Sequence, residues 1–544
     1  MNEYRVFGPP GTGKTTYLSN LISEARKKYG NDKIFVTSFT RAAAVEIASR
    51  DGTEIPKSMV GTLHAHCYRS LGAPALAEAY IEEFVKEYPQ YSFKISVDVD
   101  NPYDIERSAG GSQSILEIMN LYRSTLIPVD RWPTNVRNFY KLWNGWKKTN
   151  GFLDFTDLLE ISLKEVKYAP GRPKVGFVDE AQDMTPLQFA LVRKWAEDME
   201  KLIIAGDDQQ CLYDFLGASP DSMLDPPLPE DRIIILNQSY RLPRRILDWS
   251  EKIISKVQRR QEKEYKPRTE NGKEVEGRVR VSRATSQDVR RLLVEVEKDL
   301  AKDKTVMVLA SCSYMLIPFI QLLMKEGVAF HNPYRKKTSA WNPLSWNDNE
   351  IQAGQALLSF LQFSKSLSGD APSTLWSFLE LEDWLPFVSS KILKHGIKTK
   401  VEKESIVEMY TVYDIFKEEV ADIMVNGTEA ERWQIFKNNL TKEGIKKLQY
   451  PMRILKHNTE QLFKKPQLIV GTIHSVKGGE ADIVYVIPDL SKPQKKAWHG
   501  SRTEADALRR LFYVAGTRAR EELVLCSPSH TTEGFPLMEG LRRE

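Results

Sequence analysis

Cysteine is scarce: Cys67, Cys211, Cys312 and Cys526 are the only four in 544 residues, and no two of them form a CxxC pair. That scarcity argues against a disulfide framework and against a zinc site of the usual spacing, and it suits a reducing, cytoplasmic setting. Long apolar runs are missing too. The richest, residues 316–324, is broken by Pro318 and Gln321 and falls short of the roughly 20 apolar residues that cross a bilayer, so no membrane partner is expected. The opening Met1-Asn2-Glu3 passes straight into a short strand, without the charged and apolar stretches of an export leader. Repeats, low-complexity tracts and a nuclease signature are lacking as well. Charge is nearly balanced: 77 Lys+Arg against 73 Asp+Glu leave +4, spread along the chain. Such a balance permits a polyanionic partner without requiring one.

What is present is a chain with 41% hydrophobic residues, enough for several cores and three to five domains. Short β-type runs at 4–7, 34–37, 174–178, 202–205 and 233–236 alternate with helical segments, and a second set follows at 279–281, 306–310, 468–470, 483–486 and 523–526. The pattern predicts an α/β fold of two lobes with parallel sheets. Two aromatic-rich helical stretches interrupt it. The expected division is a first lobe at 1–66 and 150–257 with an insertion at 67–149, and a second lobe at 258–335 and 466–544 with an insertion at 336–465. The polar run 258–277 reads as the connector.

Gly8-Pro9-Pro10-Gly11-Thr12-Gly13-Lys14-Thr15, continued by Thr16, follows a strand and opens a helix. That context makes it a phosphate-cradling P-loop: backbone N–H groups close on phosphate oxygens, Lys14 neutralises them and Thr15 ligates magnesium. Asp179-Glu180 ends a later apolar strand. Alone it would read as an acid-capped helix turn; beside a P-loop, Asp179 becomes a magnesium ligand and Glu180 the general base for an attacking water.

Further segments follow in a telling order. Gly206-Asp-Asp-Gln-Gln-Cys-Leu-Tyr-Asp-Phe-Leu-Gly-Ala218 resembles the GDDDQSIYGWRGA element of UvrD/Rep/PcrA-like superfamily 1 DNA helicases, and Asn237-Gln-Ser-Tyr-Arg241, Gly471-Thr-Ile-His-Ser-Val-Lys-Gly-Gly-Glu480 and Leu511-Phe-Tyr-Val-Ala-Gly-Thr-Arg518 resemble the family's later motifs. The likeness runs from Val6 to Cys526, and the two insertions match in position only. It implies two RecA-like P-loop NTPase lobes, each with a mainly helical insertion, that use ATP and Mg2+ to move 3′–5′ along single-stranded DNA in replication, repair or recombination. Gln210 then resembles the γ-phosphate sensor, Tyr240 the base-stacking ring, Arg241 and Arg518 the two arginines at the γ-phosphate, and Glu480 the acid at the ribose. These residues, with Lys14 and Glu180, make up the expected catalytic and nucleotide-binding set.

Strand contacts are expected from Phe39 in motif Ia, Thr62 and His64 in motif Ib, Tyr213 and Phe215 in the third motif, and His474 in motif V. The alternative for Phe39 and Phe215 is a core aromatic and for Thr62 a capping hydroxyl, and the insertion tryptophans read as core. Trp498 lies between motifs V and VI, where a strand-separating pin would project. Asp154-Phe-Thr-Asp-Leu-Leu159 resembles a family segment whose simplest role is structural. Leu216 stands where the family has a DNA-touching arginine, and none of the seven residues before Gly8 is the glutamine that reads adenine in the family. Expected partners are single-stranded DNA, single/double-strand junctions and unidentified loading or repair proteins, with RNA an alternative strand. Rival readings are an ATP-driven translocase that displaces proteins with little unwinding, and a nucleotide-switched DNA-binding protein.

Overall fold

The computed structural model describes residues 2–49, 55–91, 114–335, 341–344, 357, 359–360, 375–403, 409–457, 462, 465–530 and 533–541. The chain forms two compact units, one of Met1–Arg280, Leu490–Leu523 and Phe535–Glu544, the other of Val281–Asp489 and Val524–Gly534.

The first unit is built on six strands: β1 (Glu3–Phe7), β2 (Ile34–Ser38), β3 (Val60–Gly61), β4 (Val175–Asp179), β5 (Lys201–Gly206) and β6 (Ile233–Ile235). They lie in the order β3-β2-β4-β5-β1-β6, all parallel. β2 and β4 are buried along their whole length, as strands covered by helices on both faces must be. Helix Lys14–Tyr29 shows why such a segment folds: Leu18, Ile22 and Ala25 recur at helical spacing on its buried face, three basic residues complement the last turn, and Gly30 at φ 87° ends it. Parallel strands bring all their carboxyl ends to one edge, so β1, β2, β4 and β5 deliver their loops to one side of the sheet.

Helices Ile81–Glu87, Ile115–Ser124 and Thr134–Asn150 form a separate apolar core around Phe84, Trp132, Phe139, Trp143 and Trp146. The segment read as a connector carries a small antiparallel hairpin, β7 (Thr269–Glu270) with β8 (Lys273–Glu274).

The second sheet contains β9 (Arg278–Val281), β10 (Val306–Ala310), β13 (Leu468–Thr472), β14 (Ala481–Val486) and β15 (Ala519–Leu525); β11 (Leu375–Ser377) and β12 (Met409–Thr411) pair separately. Its order is β13-β10-β14-β15-β9, with β10 parallel to both β13 and β14. Its core continues into the helical stretch through Trp341, Trp376, Trp384 and Phe436; Trp346 lies outside the described residues. No helix among the described residues is long and apolar enough to cross a membrane.

Candidate nucleotide site and strand-binding surface

The loop after β1 is held to the sheet by the Gly8 N–H, which donates to the Gly206 carbonyl at 3.0 Å, and is closed by the Thr12 hydroxyl donating to the Pro9 carbonyl at 2.8 Å. Gly11 adopts φ +74°, and a Cβ there would fall 2.4 Å from the Cβ of Arg241, so only glycine lets the two loops approach. The Tyr240 N–H donates to the Gly11 carbonyl at 2.7 Å. Its ring lies over Gly13 and is 71% exposed, an open aromatic face beside the P-loop.

Lys14 is buried and its Nζ donates to Glu180 Oε1 at 2.5 Å, with Asp179 Oδ1 at 3.7 Å. Burial alone would pull this ammonium down, but Glu180, Asp179 and Asp207 outweigh it and hold it above its ordinary value. Burial pushes the Asp179 carboxyl up to about 6 against the opposing pull of Lys14. Asp179 Oδ1 is buried without a hydrogen-bond partner. Glu180 sits at φ +51°, a conformation that costs a non-glycine residue energy and tends to persist at working sites. Its second oxygen accepts from Gln182 Nε2 at 2.6 Å, and Gln182 Oε1 accepts from the Asp207 N–H at 2.9 Å, which joins the ends of β4 and β5.

The loop after β5 continues the chain of contacts. Gln210 Nε2 donates to Asp207 Oδ2 at 2.8 Å, and its Oε1 accepts from Arg518 Nη2 at 2.9 Å. Arg518 is itself held by Nε donating to the Val514 carbonyl at 3.0 Å. Burial, then the neighbouring Arg241 guanidinium, lowers Arg518 to about 9, so the site gathers cations that an anionic ligand would relieve.

Two family models match this chain, the UvrD/REP helicase N-terminal domain over residues 2–226 and the UvrD-like helicase C-terminal domain over 349–530. The chain belongs to the UvrD/Rep helicase family. A putative ATP-dependent DNA helicase YjcD of Bacillus subtilis is 23% identical over 280 residues, 47% of this chain and 37% of that protein. The ATP-dependent DNA helicase PcrA of Staphylococcus epidermidis is 25% identical over 272 residues, 46% and 37%. The chain thus spans less than two fifths of the length of these two relatives. The ATP-dependent DNA helicase Rep of Buchnera aphidicola is 24% identical over 625 aligned positions, 95% of this chain and 90% of that protein.

The first UvrD/Rep unit also gathers the residues expected to meet a strand. Phe39, after β2, stacks on Tyr213 with ring centroids 4.8 Å apart at 22°, and Tyr213 lies 5.9 Å from Phe215; all three are half-buried. A small cleft beside them is lined by Thr37, Ser38, Phe39, Thr62, His64 and Gln188. Thr62 caps helix Leu63–Ser70, its hydroxyl accepting from the Ala65 N–H at 3.2 Å. His64 is buried, and burial lowers it to about 4, so it is neutral near pH 7. Trp498 packs on Phe535 at 5.1 Å with the Arg509 guanidinium 4.8 Å from its ring centre, a packed ring rather than a projecting pin. In the second unit His474 begins a short turn after β13 and Glu480 is exposed just before β14.

Two charged clusters join residues that the sequence alone does not pair. Lys263 and Tyr265, from the supposed connector, are buried against the P-loop side of the first sheet: Lys263 Nζ donates to Asp207 and Asp208 at 2.6 Å each, and the Tyr265 hydroxyl donates to the Pro10 carbonyl. In the other cluster, Arg123 and Lys147 surround Asp154, with Arg123 Nη1 at 2.8 Å and Lys147 Nζ at 2.5 Å. Trp143 Nε1 donates to the same carboxylate at 2.8 Å. Asp154 also caps helix Phe155–Glu165, so this segment ties the inserted helices to the lobe.

Glu78 lies beside that cluster, accepting from the Phe155 N–H at 3.0 Å. Burial, then Asp154, raises its carboxyl from 4.5 to about 8, so it is protonated at neutral pH. Its stabilising contribution is complete below 4.5 and is lost as pH rises through about 8. Glu78→Gln, neutral at every pH, is expected to narrow the alkaline loss of melting temperature, as thermal melts from pH 5 to 9 would register. Parallel curves for wild type and variant would contradict it.

Proposed function

We propose that this chain is an ATP-dependent DNA helicase that couples hydrolysis to 3′–5′ movement on single-stranded DNA. The observation that carries the reading is one loop: residues 206–217 hold Gln210, bonded to Arg518, and Tyr213, stacked on Phe39, only three positions later. A nucleotide-dependent shift of Gln210 therefore reaches an aromatic platform of the kind that binds successive bases without reading sequence. In hydrolysis Glu180 would take a proton from the water that attacks the γ-phosphate, while Lys14, Arg241 and Arg518 stabilise the charge developing on the phosphate oxygens.

Mg2+ fits the site, because Asp179 offers a buried carboxylate oxygen with no hydrogen-bond partner and Thr15 is half-buried at the helix start. Those two would hold it. The ion, when bound, would supply charge neutralisation at the phosphates.

Duplexes bearing a 3′ or a 5′ single-stranded tail test the direction: opening from the 3′ tail alone is expected, and opening from the 5′ tail alone would contradict it. Hydrolysis stimulated by DNA with neither duplex opened would favour the protein-displacing translocase. The platform is tested by Phe39→Ala combined with Tyr213→Ala, expected to weaken single-strand affinity about tenfold or more, since stacking contributes about 1–3 kcal/mol per base. Fluorescence anisotropy measures it. Unchanged affinity with a lower melting temperature would mark the pair as packing.

A further inference from the structure

We propose that Lys263 is a positioning residue for ATP turnover, anchoring the loop that carries Gln210 so that a bound strand can set the Gln210–Arg518 contact. The inference rests on the helicase reading above. The Lys263 side chain is 2% exposed, and its ammonium bridges Asp207 Oδ1 and Asp208 Oδ1, whose side chains are fully buried. Asp207 is the pivot: its other oxygen accepts from Gln210 Nε2, and Gln210 Oε1 accepts from Arg518. An unbroken line of charge-assisted hydrogen bonds therefore runs from Lys263 through Asp207 and Gln210 to Arg518.

The surroundings fix Lys263 as firmly as it fixes the loop. Asp208 Oδ2 accepts from the Gln261 N–H at 2.9 Å, and Gln209 Nε2 donates to the Gln261 carbonyl at 3.2 Å. Tyr265, two residues on, donates its hydroxyl to Pro10 of the P-loop. One short segment thus clamps both the phosphate loop and the start of residues 206–217, leaving the Tyr213 end of that loop as the part that meets the strand. Removing the ammonium leaves two adjacent buried carboxylates without their shared cation, and they are expected to separate and release Asp207 from Gln210.

Lys263 touches neither phosphate nor strand in this account, so its signature is coupling rather than binding. Lys263→Met is expected to lower the DNA-stimulated kcat about 10- to 100-fold, the scale of a misplacement of about 1 Å, with KM for ATP changed less than about threefold. On a Gln210→Ala background the same substitution is expected to add less than about twofold, because the line is already cut. Lys263→Arg, which keeps the charge, should recover part of the loss. If Lys263→Met melts below the assay temperature, Lys263→Gln replaces it in the same cycle. Equal losses on both backgrounds, or wild-type stimulation in the variant, overturn the inference alone. A wild type whose hydrolysis ignores DNA overturns the helicase reading and the inference together.

Discussion

Glu180→Gln is expected to reduce ATP turnover by about a thousandfold while nucleotide binding persists. General-base catalysis contributes about 10²–10⁴, and the amide is nearly isosteric but accepts no proton. The expectation rests on how Glu180 is held: one oxygen is 2.5 Å from Lys14 Nζ, the other accepts from Gln182 at 2.6 Å, and the backbone is pinned at φ +51°. A side chain so constrained is positioned rather than merely solvated. Turnover measured beside calorimetric binding of a non-hydrolysable ATP analogue separates the two effects, and a variant losing binding and turnover equally would make Glu180 a structural partner of Lys14.

The second large effect is expected at Arg518. Arg518→Ala should lower kcat about 10³-fold, the lower bound for an arginine that stabilises a phosphoryl transition state, with DNA affinity unchanged. Two observations support it: the guanidinium is 2% exposed, and the nearby Arg241 adds to its burial in depressing it. An arriving anion would relieve the repulsion between buried Arg518 and half-buried Arg241. Arg518→Lys is not expected to rescue, because an ammonium cannot keep the paired contacts to Val514 and Gln210. Single-turnover hydrolysis checks this; a variant reduced only in ATP affinity would argue against the role.

Much of this was legible in the residues, and the exceptions share a cause. All ten runs became strands of the two sheets; those buried along their whole length, β2, β4, β10 and β13, are the most apolar because neither face meets water. The final strand begins at Ala519, earlier than its apolar part, since Glu522 faces Arg280 of β9 and so reads as polar. Two-residue strands such as Val60–Gly61 carry no periodicity to detect. The P-loop and acid motifs announced themselves because their chemistry is local. Lys263, Tyr265 and the Arg123 and Lys147 partners of the structural Asp154 segment did not: a charged side chain reads as solvated until its partner is known, and Lys263 finds Asp207 56 residues away. The adjacent carboxylates Asp207-Asp208 were the one available hint that a buried cation must come from elsewhere.

The most direct test of the central claim is steady-state ATP hydrolysis by the wild-type protein titrated with single-stranded DNA. Turnover is expected to rise severalfold or more and to saturate with the strand, because Gln210 and Tyr213 share one loop between phosphate and platform. Turnover that stays flat across the titration would contradict a strand-coupled motor.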